Sequence, residues 1–459
     1  MRLIQIICIL IWAWPAGSFA QHQQLSLDDL VAMVNGTDPI TIAEAIAAIG
    51  EREPTSELAI QVLLDALGDD RRAVFIPDGV PITFAVETVG STAAGALAEI
   101  GKPAARPLRE FIANSHDING RKRAIRSLAQ MGGDAAVALP ILQRQLVDPQ
   151  MEVRFEALAA VVSIQKDPRR LATVLGTVLS DESPDVRAAA VRALGELGES
   201  GSAHAARLVK LLDDKKDRWH FLTPCVTGTR PVRFDSAMAL ARMGRDGRIA
   251  LTKLREMMNR DPDPLVRVAA AFAIAELDGV PQDAMQYLIA AIQDEENGVP
   301  TCEAAVQSLG KLGPKASEGL PTLSAALKHP DSMIRIHAVQ AIVTVSPETA
   351  ESQLLPVMND KDPLLRACVI ESLGSLEKAS PQLLTSYIGA LDDTDSIFGK
   401  DVRHAAAIAL GNLQEKAATA IPRLTRMVTE EENERVKDAA VNAIRQITQR
   451  QTEGNRSKQ

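Results

Sequence analysis

The chain has 459 residues, 46% of them hydrophobic but only 3% aromatic, and a formal charge of −9. That acidity argues against nucleic acid as a ligand, since phosphate binding rests on an excess of Lys and Arg. In chain order, the first signal is Arg2 followed by an apolar run from Leu3 to Trp14, broken only by Gln5. Pro15 and the small-residue site Ser18, Phe19, Ala20 follow it. Residues 1–20 read as a secretory signal peptide cleaved after Ala20, with an apolar stretch too short to span a bilayer. Cys8 lies within the apolar run and not at a cleavage site, which argues against a lipid anchor. The expected destination is periplasmic or secreted, with no stable membrane insertion after cleavage. Cys225, Cys302 and Cys368 remain, an odd number that cannot pair off completely, so no disulfide framework is expected.

From there a single spacing recurs twelve times. In the run VRAAAVRALGELG, with Val186 as position 0, the chain places Ala190 at +4, Ala193 at +7, Leu194 at +8 and Leu197 at +11. Copies begin at Asp38, Val89, Gly120, Val153, Val186, Val232, Val266, Thr301, Ile334, Leu365, Val402 and Val436. Position +7 is Ala or Ser in all twelve, and Ala stands at +4 in nine. Most starts are 31 to 37 residues apart, the period of a stacked helical-pair array. Positions 0, +4, +7, +8 and +11 share one face of a 3.6-period helix, so each copy predicts an amphipathic helix whose small residues admit close backbone approach.

Ahead of each copy lies another amphipathic segment, such as 138–148, 319–329 and 420–430, and turns rich in Asp and Pro join the two (181–185, 261–264, 360–363). Their short side chains suit the N-cap of the second helix. About twelve antiparallel pairs are expected from Leu25 to Gln449. Ser26 and Asp29 supply a starting capping box, and a last helix, Arg435 to Gln449, has a polar outer face. A polar tail (451–459) follows the solenoid (21–450).

The pattern PxLxxxLxDxxxxVRxxAxxAL resembles the HEAT repeat, and its VRxxAAxALGxLG form is similar to the subtype named after the phycobilisome lyases. The resemblance implies an all-α fold, a right-handed α-α superhelix of the HEAT/armadillo type. It also implies that the first helix of each pair lines the convex side and the second the concave side. Position +1 is basic in nine copies: Arg121, Arg154, Arg187, Arg233, Arg267, Arg335, Arg366, Arg403 and Lys437. In the family such residues pair with turn aspartates and ladder between units, and Asp185, Asp263, Asp331, Asp362 and Asp401 are candidate partners here. The competing reading is a row of anion-binding cations. The basic residue is missing from the first two copies, where irregular packing is expected.

Three turns between first and second helices are long: 68–87, 213–231 and 392–401. They carry Phe75, Phe84, Trp219, Phe221 and Phe398, five of the eleven aromatic residues after Ala20. Aromatic and Arg side chains dominate binding hot spots, so Trp219, Phe221, His220, Arg230, Phe75 and Phe84 are the candidate partner-binding residues. Packing of these aromatics against the solenoid edge is the alternative.

His220 and Cys225 lie close in sequence, but two ligands do not make a zinc site. No motif for a catalytic residue, metal or cofactor emerges, and none is expected. The resulting expectation is an exported, monomeric, non-enzymatic scaffold for a protein or extended polymer, with a bilin-lyase-type enzyme as the alternative.

Overall fold

The computed structural model describes residues 25–52, 56–73, 88–216, 230–376, 379–397 and 400–456. It divides into two compact units, residues 1–246 and 247–459. In the first unit six helical pairs follow one another. These are α1 (Leu27–Val34) with α2 (Pro39–Arg52), α3 (Glu57–Asp65) with α4 (Val89–Ile100), and α5 (Lys102–Asn114) with α6 (Ile118–Met131). Then come α7 (Leu139–Gln145) with α8 (Met151–Ile164), α9 (Pro168–Val178) with α10 (Pro184–Glu196), and α11 (Ala205–Leu211) with α12 (Val232–Arg242).

The second unit also has six. They are α13 (Leu251–Arg260) with α14 (Pro264–Asp278), α15 (Gln282–Gln293) with α16 (Gly298–Leu312), and α17 (Leu320–Ala326) with α18 (Ser332–Val345). Next are α19 (Pro347–Leu354) with α20 (Pro363–Leu373), α21 (Pro381–Ala390) with α22 (Val402–Asn412), and α23 (Ile421–Glu430) with α24 (Glu434–Arg456). Even-numbered helices are the twelve copies found in the sequence. The last of them runs to Arg456, past the expected end at Gln449 and into the expected tail. No proline interrupts the sequence there, so nothing stops the helix where the apolar period fades.

Each helix starts where its turn chemistry allows. Ser26 and Asp29 form the expected capping box, and Asp263, Asp331, Asp362 and Asp401 accept backbone N–H bonds at the starts of α14, α18, α20 and α22. The apolar face is buried as the spacing demands: Val186, Ala190 and Leu194 are fully enclosed. Consecutive second helices pack along that face within each unit.

Where position +9 is glycine, their backbones come very close. A methyl group on Gly195 would lie 2.9 Å from both Cα and Cβ of Ala239, the +7 residue of the next second helix. Gly310 faces Ala341, Gly374 faces Ala409 and Gly411 faces Ala443 in the same register, at 2.7–3.1 Å. The small +7 residue is therefore half of a contact whose other half is the +9 glycine.

The basic row at +1 is the second interlock. Arg154 reaches forward to Asp181 with Nε–Oδ2 at 2.8 Å and Nη2–Oδ1 at 2.9 Å, a bidentate pair, while its Nη1 donates to the Asp148 carbonyl at 2.9 Å. The same forward reach of 27 residues joins Arg187 to Asp214, Arg335 to Asp362 and Arg366 to Asp393. Arg121 pairs with Asp148 likewise. Arg154 and Arg187 are each 5% exposed, so these cations are spent inside the fold and are not an anion-binding row. Of the aspartates expected as partners, Asp362 takes part in this 27-residue ladder and Asp401 pairs with Arg403 in its own turn. Asp263 and Asp331 cap helices instead. Arg267 departs from the ladder by donating to the Tyr287 hydroxyl at 2.7 Å.

The missing rung near the second copy is filled from the other direction. Arg123, on α6, donates back to the Leu67 carbonyl at 2.8 Å and to Thr88 Oγ1 at 3.0 Å, and pairs with Asp70. Gly90 stands at +1 there, and a Cβ on it would meet that guanidinium at 2.5 Å. The irregular start of the array is thus a reversed rung.

Two substitutions test these interlocks by thermal unfolding. Gly195→Ala is expected to destabilise by about 1–2 kcal/mol, overpacking outweighing the gain in helix propensity. Gly95→Ala, at a helical site with nothing within 4 Å of the added Cβ, should instead stabilise by about 0.5–1 kcal/mol. Equal shifts of Tm would remove the close-approach argument. Replacing Arg154 by Ala leaves Asp181 buried without its cation and should cost about 3–5 kcal/mol; a loss below about 1 kcal/mol, as at an exposed pair, would show the rung to be ornamental.

Candidate functional site

With positions 0, +4, +7, +8 and +11 buried and +1 spent in the ladder, the second helices show solvent mainly positions +2, +3, +6 and +10. In the first unit, α8 presents Phe155 and Ala159, with Val162 at +9 half-exposed beside them, α10 presents Ala189 and Arg192, and α12 presents Met238 and Arg242. Helices α8, α10 and α12 pack in succession, so these residues form one stripe. Arg192 and Arg242 are exposed and have no ion-pair partner among the described residues. Phe234, also on α12, is 5% exposed, and the Arg230 guanidinium lies over its ring, 4.9 Å from the centroid.

Of the candidate partner-binding residues, only Arg230 is among those described; it is exposed at the exit of the 213–231 insertion. Phe75, Phe84, Trp219, His220 and Phe221 lie outside the described residues, as do Cys225 and Phe398. The roots of two insertions are nevertheless defined. An isolated bridge between Arg72 and Thr88 closes the first, and Asn119 and Arg123 both hold Asp70 beside it. The third is pinched by a two-residue hairpin, β1 (Ser396–Ile397) with β2 (Lys400–Asp401). Each of the three leaves its pair between first and second helix, as the spacing predicts.

The second unit presents a different chemistry. Its second helices expose or half-expose Glu303, Gln307 and Lys311 on α16, His337 and Gln340 on α18, Glu371 on α20, and His404 and Ile408 on α22. The His337 ring lies 3.6 Å from Glu303 and 3.2 Å from Gln307 Nε2. Burial holds this imidazole below its usual range against the opposing pull of Glu303 and Asp331. Cys302, on the same helix as Glu303, is a thiol outside any disulfide that burial pushes up to about 11, and Cys368 is likewise buried and outside any disulfide. A buried, protonated thiol is a poor nucleophile, so Cys302 belongs to the core. His204 packs against Gly176 beside a surface hollow of about 490 Å³, and burial lowers its pKa as well.

Among the described residues no group of three or more His, Cys, Asp or Glu could hold a metal ion. None of the helices searched is long and apolar enough to cross a membrane. Sequence reasoning sought aromatics in the insertions and passed over Phe155, Phe234 and Phe272, which stand at +2, +2 and +6 of their repeats; those positions were the available signal.

Comparison with known proteins agrees with this geometry. The family model for HEAT repeats matches residues 148–220, 251–325 and 320–399, and that for the PBS lyase HEAT-like repeat matches 402–428. Among curated proteins, phycocyanobilin lyase subunit alpha of Nostoc sp. is 28% identical over 197 residues, 40% of this chain and 66% of that protein. The chain thus spans just under two thirds of that relative's length. Among solved structures, the Kap95:Nup1 complex aligns with a TM-score of 0.60 at 14% identity, over 94% of this chain and 64% of the other. Importin beta crystallised from polyethylene glycol gives 0.57 at 13%, over 96% and 68%. At such identities the likeness is one of fold. The matched repeats, the helical pairs and the rungs between them make this chain a member of the HEAT-repeat proteins, all-α solenoids of the HEAT/armadillo type.

Proposed function

We propose that this chain is an exported scaffold that binds a protein partner on the exposed faces of its second helices and on the rim that carries the insertions. The observation that carries this reading is the contrast between positions across the twelve copies. Inward positions barely vary, whereas +6 runs Glu44, Gly95, Arg126, Ala159, Arg192, Met238, Phe272, Gln307, Gln340, Glu371, Ile408 and Asn442. A polymer of identical units presents the same group at each step and so calls for the same side chain in each repeat. A face whose chemistry varies this much from copy to copy suits the irregular surface of a folded protein or peptide. Export rests on the signal-peptide pattern ending at Ala20, and the site it serves is periplasmic or extracellular. The binding residues proposed are Trp219, His220, Phe221, Arg230, Phe75 and Phe84, with Arg230 already stacked on Phe234 at the foot of its loop.

A second reading is favoured by the phycocyanobilin lyase relative: the chain belongs to a lyase or assists one. Incubating the purified protein with phycocyanobilin separates the two. A bound visible absorbance band supports the lyase reading, and an unchanged spectrum of free pigment supports the scaffold.

The scaffold reading has its own test. Each unit of a solenoid touches only its neighbours, so a loop can be shortened without unfolding the rest. Deleting residues 218–229, or changing Trp219 and Phe221 to Ala, should leave the helical circular-dichroism spectrum intact. Capture of a partner from an envelope fraction should fall by about tenfold or more, the loss of one hot-spot aromatic. Early melting with undiminished capture would mean that these aromatics pack on the edge and do not bind.

A further inference from the structure

The exposed stripe across α8, α10 and α12 has a composition of its own, and we infer that it is the seat of an acidic peptide segment with apolar anchors. This deepens the scaffold reading and rests on it. The chain as a whole carries −9, so exposed cations are a local departure, and the ladder has already drawn Arg121, Arg154 and Arg187 into buried pairs. Arg192 and Arg242 remain exposed without a carboxylate among the described residues, on two helices in contact. Arg230, at the edge of the stripe, lies over the Phe234 ring and is not counted with them. Against them stand Glu156, which Arg126 neutralises, and Glu196.

Beside the cations, on α8, α10 and α12, lie Phe155, Ala159, Val162, Ala189 and Met238, none of them charged and Ala159 open to solvent. An occupant must therefore supply carboxylates at one end and side chains that leave water over the apolar ground beside it. Guanidinium groups meet carboxylates in two-point hydrogen bonds, which gives such a segment both register and charge complementarity. A basic or uncharged segment satisfies neither cation. In the second unit the corresponding positions offer Glu303, Gln307, Lys311, Gln340 and Glu371, a face of mixed charge without the two arginines.

The test uses the full mature chain and fluorescence anisotropy. The probe is a short fluorescein-labelled peptide alternating Glu with Leu and Phe; the comparators are the same peptide with Lys for Glu and a labelled oligothymidylate. The expected result is saturable, salt-sensitive binding of the acidic peptide alone, weakened about tenfold or more by Arg192→Glu combined with Arg242→Glu. Both positions are exposed, so the melting curve should not move; should it move, the milder Arg192→Gln with Arg242→Gln takes its place and must still weaken binding. Undiminished binding by the charge-altered chain, equal binding of the Lys peptide or the oligonucleotide, or no binding by the unaltered chain overturns the inference. The charge-reversed chain is also carried through the envelope capture. If it retains the partner there, the scaffold reading stands and this stripe is not its site; if the unaltered chain captures nothing, the scaffold reading itself has failed.

Discussion

The buried rung from Arg at +1 to the Asp 27 residues later is the interaction on which the rest of this molecule depends. A helical pair cannot bury its own apolar face, so the array is stable only as a stack, and each interface must hold a fixed geometry for the next to form. Apolar contact alone is non-directional. The guanidinium supplies direction: in Arg154 one edge grips the next unit's carboxylate while the remaining nitrogen holds the carbonyls of its own turn at Asp148 and Pro149. One side chain thereby ties two turns together. Desolvating such a pair is costly, which makes its value geometric before it is energetic, and removing one partner far worse than never having had the pair.

That arrangement also decides what the surface is made of. Nine basic residues that a linear reading places in a row on one helical face are largely withdrawn from it, and the second-helix faces are left to positions the fold does not need. The rungs are not uniform. Arg123 reaches backwards where +1 is Gly90, and Arg267 binds a phenol where a carboxylate would be expected. In both places the guanidinium still holds the end of the preceding helix or turn, through the Leu67 carbonyl in the one case and the Asp261 carbonyl in the other. At Arg267 the carboxylate is replaced and the backbone anchor kept, whereas Arg121 and Arg403 keep carboxylates and bind no backbone carbonyl among the described residues.

Most of the fold was legible because its determinants are local and repeated. Twelve copies of one spacing fix the helical pairs, and the Asp and Ser caps fix where they begin. What escaped the sequence was pairwise. Asp263 and Asp331 look like partners because they sit next to the Arg of their own helix, yet both serve as N-caps, and where such an aspartate also takes a 27-residue rung, as Asp362 does, its Arg comes from the preceding copy. The constant separation of 27 residues was the better signal. Likewise the small +7 residue was recognisable as a close-approach site, but its partner at +9 appears only when one helix is laid against the next, as Gly195 against Ala239. The last helix overran its expected end because apolar periodicity marks where packing stops and not where hydrogen bonding does.

The candidate surface was less legible, for a related reason. Counting aromatic residues by segment points to the insertions, since the repeats are poor in them. Counting by position within the repeat adds three more phenylalanines, of which only Phe155 is half-exposed. Phe155 and Phe234 both occupy +2, and Phe272 occupies +6 with Lys311 Nζ 5.8 Å from its ring centroid. Phe234 and Phe272 are each 5% exposed, so their rings act less as contacts than as the floor on which Arg230 and Lys311 are held outward. A cation held over an aromatic floor has already lost much of the side-chain freedom that binding would otherwise cost it. The buried Phe and the exposed cation above it are therefore one element, a charged side chain whose position the fold has already fixed.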